Sequence, residues 1–246
     1  VYGRDGGGVV FSNTVNVWRY GIDGGANTAG SKYGRRLNGS IVGCGENWYG
    51  QVSCPAGNDF VAISAGGSHS LALRRDGTIV GWGRNDYGQT NCPAGNGFAA
   101  IAAGANHSLA LLSNGSIVGW GMNTYGQTNC PAGNDFVAIA AGWQHSLALK
   151  SNGRIVCWGR SWAPGSICPT GDSFIAIAAG GFHSLALQSD GCIVVWGNET
   201  NSPSGDAYVA VAAGLEHSLA LRRNGSLVGW GDNSYGQTNC PYGDHF

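Results

Sequence analysis

Along most of the chain, apolar and polar positions follow one repeated phrase. In its clearest copy a compact apolar run, Phe136-Val-Ala-Ile-Ala-Ala141, is followed by Gly142 and two further residues. Then come His145-Ser-Leu-Ala-Leu149, the polar pair Asn152-Gly153, and Ile155-Val-Cys-Trp-Gly159. These apolar stretches are too short for helices and show no helical period, so they read as short strands. The turn signals agree. Asp76-Gly77, Asn114-Gly115, Asn152-Gly153, Asp190-Gly191 and Asn224-Gly225 stand between the second and third stretches. Such dipeptides supply the positive φ angles of a two-residue hairpin turn. An Asn-x-Tyr-Gly-Gln-Thr stretch then leads through Cys-Pro-x-Gly to the next copy. The pattern predicts three or four short strands per repeat and no significant helix.

The repeat has a fixed period. The histidine of His-Ser-Leu-Ala-Leu stands at His69, His107, His145, His183 and His217, with spacings of 38, 38, 38 and 34 residues. Five full copies span 59–96, 97–134, 135–172, 173–206 and 207–246. A degenerate sixth, 21–58, keeps Asn38-Gly-Ser-Ile-Val-Gly-Cys-Gly45 and Tyr49-Gly-Gln51. It carries Ser31-Lys-Tyr-Gly-Arg-Arg36 where the His-Ser-Leu-Ala-Leu strand belongs, and that strand is expected to be lost. Residues 1–20 form an atypical segment with two expected strands, Val9–Phe11 and Val15–Trp18. A period in this range signals a repeat architecture. Sheets rich in alanine and glycine pack closely, and a radial array of them is a β-propeller with short, protected edges. No linker interrupts the repeats, so residues 21–246 read as one all-β propeller.

The phrase Ala-Gly-x-x-His-Ser-Leu-Ala-Leu, then Asp-Gly, then Val-x-x-Trp-Gly-x-Asn-x-x-Gly-Gln, resembles the repeat of the RCC1 superfamily. The short form ending in Gly-Gln-Thr-x-Cys-Pro is similar to the bacterial type that includes β-lactamase inhibitory protein II. The resemblance is strong over 41–246 and weak over 21–40. It implies seven blades, whereas the arithmetic gives between six and seven. Residues 1–20 would then complete a seventh blade, cap the edge, or pair with a strand of another chain.

Composition narrows the partners. Charged residues are 11% of the chain and the formal net charge is −1. Neither nucleic acid nor an acidic membrane surface is expected as a main partner, since both call for a basic surface. No apolar run is long enough for a membrane span. The first residue, Val1, reads as a mature or trimmed start. Eight cysteines and the sequons at Asn38, Asn106, Asn114, Asn198 and Asn224 favour a secreted, oxidising setting. Three of those sequons are Asn-Gly-Ser hairpin turns of the repeat itself.

Catalytic and metal chemistry find little support. A metal needs three or four ligands converging on one ion, and equivalent histidines of successive blades are spread around a ring. Each is expected instead to bond a backbone or hydroxyl group of its own blade. There is no nucleophile elbow, phosphate loop or His-Glu-x-x-His. The three glutamates, Glu46, Glu199 and Glu216, fall in loops. No catalytic residue, cofactor or metal is assigned. Cys54, Cys92, Cys130, Cys168 and Cys240 share one repeat position and are too far apart to pair with one another. The off-pattern Cys157 and Cys44 precede Cys168 and Cys54 by eleven and ten residues. Cys157–Cys168 is the favoured bridge. Cys44–Cys54 is the weaker one, because Cys44 aligns with Trp158 and points to the other face of its strand.

Function is expected at the positions that vary. Two residues precede each histidine: Gly67-Ser68, Ala105-Asn106, Trp143-Gln144, Gly181-Phe182 and Leu215-Glu216. These pairs should surround one face of the disc, with Trp143, Phe182 and Leu215 forming an apolar arc. In the inhibitor that the repeat resembles, aromatic residues at this position help form the partner-binding face. A second variable set follows Trp-Gly and adds Trp48 and Trp162, while its recurrent tyrosine reads as a packing residue. Aromatic loop clusters are typical interface anchors. Together these features predict a non-enzymatic, extracellular protein-binding or assembly scaffold. The readings beside it are a fibre or coat subunit joined through residues 1–20, a β-lactamase inhibitor, a sugar-binding protein and, ranked lowest, a small-GTPase exchange factor.

Overall fold

The computed structural model describes residues 32–36, 38–160, 168–198, 201–205 and 207–240. They are built from strands and turns. The first sheet pairs β1 (Lys32–Arg35) with β2 (Ile41–Cys44). Five three-stranded antiparallel sheets follow. The second blade holds β3 (Phe60–Ala65), β4 (His69–Arg74) and β5 (Ile79–Gly83), and the third β6 (Phe98–Ala103), β7 (His107–Leu112) and β8 (Ile117–Gly121). The fourth holds β9 (Phe136–Ala141), β10 (His145–Lys150) and β11 (Ile155–Gly159). The fifth holds β12 (Phe174–Ala179), β13 (His183–Gln188) and β14 (Ile193–Gly197), and the sixth β15 (Tyr208–Ala213), β16 (His217–Arg222) and β17 (Leu227–Gly231).

Each complete blade therefore has three strands, and the His-Ser-Leu-Ala-Leu strand is the middle one. First strands of successive blades pack on one another while third strands make no comparable contact, so the first strands line the axis. The middle strands are buried along nearly their whole length, because both faces of each sheet are covered. Leu71, Leu73 and Ile79 of one blade, for example, enclose Phe98, Ile101 and Ala110 of the next. Burying one such side chain contributes about 1.5–3 kcal/mol. The sixth blade differs: Leu219, Leu221 and Leu227 are only half-buried there.

One expectation is corrected. Ser31–Arg36 was expected to lack a strand, yet β1 pairs with β2 in the register of the complete blades, Lys32 opposite Cys44 and Arg35 opposite Ile41. Strand pairing and packing against β3 override a poor local pattern. The expected seventh blade and the assignments for residues 1–20 lie outside the described residues.

The hairpin turns fit their dipeptides. Gly115 has φ +83°, and a Cβ there would also run into the Asn134 carbonyl of the following repeat lead-in. Exit loops are held by the recurrent asparagine. Asn85 Oδ1 accepts from Thr90 N at 2.9 Å while its amide donates to Asn91 Oδ1 at 2.9 Å. The same pair of bonds recurs at Asn123 and Asn233. The Asn-x-Tyr-Gly-Gln-Thr-Asn phrase is thus a loop scaffold.

Cys157 is bonded to Cys168. Cys157 occupies the strand position that holds glycine in the second, third and sixth blades. A Cβ on Gly119, at the same place, would stand 2.9 Å from Cys130 Sγ. The expected Cys44–Cys54 bridge does not form: both are free thiols, and Cys44 is exposed. Cys44 takes the tryptophan position, on the other face of the strand from the site that meets the exit-loop cysteine. Gly119→Cys is therefore expected to form a second bridge with Cys130 and raise stability by about 2 kcal/mol. Thiol titration and denaturant unfolding, with and without reductant, measure both effects.

Candidate functional face

The antiparallel order places the turn before each histidine and the residue after each Trp-Gly at one end of every blade, the loop face. A backbone bond ties the two together in each complete blade. Arg84 N donates to Ser68 O, Met122 N to Asn106 O, Arg160 N to Gln144 O and Asn198 N to Phe182 O, all at 2.9 Å, and Asp232 N to Glu216 O at 2.8 Å. The two variable sets read separately from sequence are therefore one surface.

That surface is uneven. In the second and third blades the paired residues are small, and the exit loops keep their tyrosines. In the fourth to sixth blades the pairs become Trp143-Gln144, Gly181-Phe182 and Leu215-Glu216. The exit loops of repeats 135–172 and 173–206 also depart from the phrase, and neither contains Tyr-Gly-Gln. Inner and outer variation coincide in one sector. Trp143, 37% exposed, stands with its ring centroid 4.8 Å from that of half-buried Phe182, tilted by 55°. Leu215 leans over Gly181, where a Cβ would be 2.5 Å from Leu215 Cδ1. Glu216 is exposed at the far end of the arc. A cavity of about 150 Å³ opens beside Phe182, lined also by Arg160, Ser184, Trp196 and the Cys157–Cys168 bridge.

Arg160 is the residue sequence reasoning underrated. Its guanidinium lies 4.7 Å above the Tyr125 ring, and Nη1 donates to Tyr125 Oη at 3.1 Å and to Gln144 Oε1 at 2.8 Å. Arg84 stands 4.9 Å above Tyr49 in the same way. The signal was present, since Arg84 and Arg160 share the position after Trp-Gly. The tyrosines are exposed rather than packed: Tyr49, Tyr87 and Tyr125 lie at 49, 48 and 41%. They form a rim to the face, not part of the core.

Trp48 is 84% exposed but stands in the first blade, away from the Trp143 sector. Trp162 lies outside the described residues. Of the sequons, Asn38, Asn114 and Asn224 are exposed at the hairpin turns on the opposite face. There each Oδ1 accepts from the serine two residues on, for example Ser116 N at 3.0 Å and Ser116 Oγ at 2.7 Å. Asn106 is half-buried on the loop face, and Asn198 is exposed there, with Glu199 and Thr200 outside the described residues.

Four of the histidines are structural, but their partners lie in the neighbouring blade and not in their own. His69 Nε2 bonds Ser108 Oγ at 3.0 Å, His107 bonds Ser146 at 3.0 Å, His145 bonds Ser184 at 2.9 Å and His183 bonds Ser218 at 2.8 Å. Ser108 Oγ donates onward to Gln89 O, and Ser146 Oγ to Gln127 O, each at 2.8 Å. A serine that has given its proton to a carbonyl accepts from the imidazole, so Nε2 carries the hydrogen and Nδ1 is bare. The bare Nδ1 atoms of His69 and His107 are buried and unbonded, as is Nδ1 of His145. Burial pulls the imidazoles far down, to about 4 for His69, His145 and His183 and about 3 for His107. Among the described residues no three His, Cys, Asp or Glu side chains group as metal ligands would.

A family described as the regulator of chromosome condensation (RCC1) repeat matches residues 60–89, 98–127, 136–161, 174–202 and 208–237. Among curated proteins none matches the chain. Several solved structures do. The entire ectodomain of the receptor kinase CR4 from Physcomitrella patens is 28% identical with a TM-score of 0.71, over 85% of this chain and 60% of that one. This chain thus spans under two thirds of that ectodomain. The CRINKLY ectodomain of the Arabidopsis thaliana receptor kinase ACR4 is 24% identical with a TM-score of 0.70, over 82% and 78%. Prp20p from Saccharomyces cerevisiae, studied for its binding to Gsp1p and histones, is 20% identical with a TM-score of 0.71, over 88% and 72%.

Proposed function

Because this chain belongs to the RCC1 repeat family, we propose that it is a non-enzymatic, extracellular propeller that binds a protein partner through the loop face of its fourth to sixth blades. The observation that carries this reading is the Trp143–Phe182 pair, standing where the exit loops have lost their tyrosines. A partly exposed aromatic pair flanked by Arg160 on one side and Glu216 on the other has the make-up of an interface centre, with an apolar anchor and a charged rim. Similarity to a receptor ectodomain, the Cys157–Cys168 bridge and the sequons favour the extracellular setting. The hairpin-face sequons would leave the loop face open even when glycosylated.

The test is capture by the immobilised, disulfide-intact chain from the extracellular fluid of its source. Trp143→Ala with Phe182→Ala is expected to weaken capture at least tenfold. A hairpin-face variant, Val137→Ser with Ile175→Ser, should capture normally. Equal capture by all three proteins would sink the assignment. A second reading rests on the same aromatic pair: insertion into the cleft of a β-lactamase, as by the inhibitor whose repeat this one resembles. Inhibition of such an enzyme, lost in the double variant, would move the assignment there. Assembly into a polymer is distinct, and predicts that removing residues 1–20 dissolves it.

A further inference from the structure

At two regular seams one main-chain oxygen receives two hydrogen bonds from the next blade. Gln89 O accepts from Ser108 Oγ and from Trp120 Nε1, both at 2.8 Å. Gln127 O accepts from Ser146 Oγ and Trp158 Nε1, again both at 2.8 Å. The glutamine side chain is itself buried, its Oε1 taking the tyrosine N–H of the exit loop, as Gln89 does from Tyr87 at 2.9 Å. Tyr-Gly-Gln is thus the segment that delivers the oxygen.

The seam between the fifth and sixth blades keeps both donors. Ser218 is fully buried, and its Oγ bonds His183 Nε2 at 2.8 Å as its counterparts do. Trp230 packs among Leu185, Leu187 and Ile193 of the fifth blade. The intervening repeat, 173–206, is four residues shorter than each of the three before it, and it lacks Tyr-Gly-Gln. Trp230 Nε1 is accordingly buried with no partner. A buried, unmet indole N–H is costly, and here it sits beside Ser218, whose hydroxyl bonds His183 Nε2 in place of the carbonyl that its counterparts also meet. Both donors belong to an arrangement that elsewhere in this molecule holds a peptide oxygen.

We infer that this seam accepts a carbonyl oxygen from an extended segment of the protein partner, held by Trp230 Nε1 and Ser218 Oγ in the place of the missing Tyr-Gly-Gln. The inference rests on the protein-binding reading of the loop face and names the chemistry it uses there. Leu215 and Glu216 border the seam: the backbone of Gly231, next to Trp230, lies against the Glu216 carbonyl. A segment anchored on the aromatic arc therefore lies next to the seam, whose buried donors it meets once the seam edge parts. A polypeptide is favoured over other carbonyl sources because the regular seams are filled by polypeptide.

The probe is a blocked peptide with the sequence of residues 123–129, Asn-Thr-Tyr-Gly-Gln-Thr-Asn, added to chain labelled with ¹⁵N. The Trp230 indole resonance, identified by its loss in Trp230→Phe, is expected to move saturably while those of Trp82, Trp120 and Trp158 stay in place. Trp230→Phe should weaken peptide binding at least tenfold and leave the melting temperature unchanged or raised, whereas Trp120→Phe lowers it. A fall in melting temperature for Trp230→Phe equal to that for Trp120→Phe would reveal an acceptor within the chain and overturn the inference. So would a Trp230 resonance that the peptide does not move, or equal movement of every indole. Failure here with Trp143-dependent capture intact leaves the binding face standing and removes only its carbonyl site.

Discussion

Lowering the pH from 7 towards 4 is expected to unfold this chain in one steep step. In an unfolded chain the histidines titrate near 6.5. In the folded blades His69, His145 and His183 are held to about 4 and His107 to about 3. Burial is the main cause. His107 is lowered further by the nearby imidazoles of His145 and His69. The native state thus binds fewer protons than the unfolded state throughout this window. The stability is present above pH 6.5 and drains away as pH falls from 6.5 towards 4. A gap of this size costs about 3 kcal/mol for each imidazolium. Four of them approach the whole stability of a typical domain, about 5–15 kcal/mol. Denaturant unfolding followed by tryptophan fluorescence at several pH values measures the effect directly. A stability flat from pH 7 to 4.5 would show that the ladder does not govern it. Replacing His107 alone should flatten the curve but also lower the plateau, because Ser146 then loses its donor.

Gly104→Ala is expected to lower stability by about 3 kcal/mol or more, the upper range for a forced overpacking. Gly104 lies between two fixed groups. An added Cβ would strike the His107 ring of its own blade and stand 2.5 Å from the Gly142 carbonyl oxygen of the next. Neither group can yield. The ring is held by Ser146, and the neighbouring Ala105 N donates to the Gly142 carbonyl at 3.2 Å. Serine in place of Gly97, where a Cβ meets nothing within 4 Å, is the matched control. A melting temperature unchanged by Gly104→Ala would show that the blades separate more easily than their contacts imply.

The strands and the hairpin turns were legible because each is encoded within one repeat; three or four strands per blade were expected, and the complete blades have three. Asp76-Gly77 and its counterparts mark turns by local backbone chemistry alone. Cys157–Cys168 was legible for the same reason, since one blade contains both partners. What escaped was the relation between blades. His69 finds its serine 39 positions away, and no pattern inside a repeat says that a buried imidazole reaches across rather than inward. β1 escaped because Lys32-Tyr-Gly-Arg35 has neither the apolar content nor the alternation of a strand; only its neighbours make it one. The Trp143, Phe182 and Leu215 arc was named from repeat positions, and in the structure the first two rings stand 4.8 Å apart. Arg160 was seen only as one of a set, because its roles depend on Tyr125 of the preceding blade.

The seam geometry also bears on how such a chain changes over generations. At the two regular seams the serine and tryptophan donors come from one repeat and their carbonyl acceptor from the repeat before. Duplicating or losing a complete unit keeps every seam supplied, whereas trimming within a unit strands its neighbour. Gene duplication in whole repeats is therefore the tolerated path to a larger or smaller disc. In the shortened repeat 173–206 the cost of such trimming falls on the following blade, at Trp230.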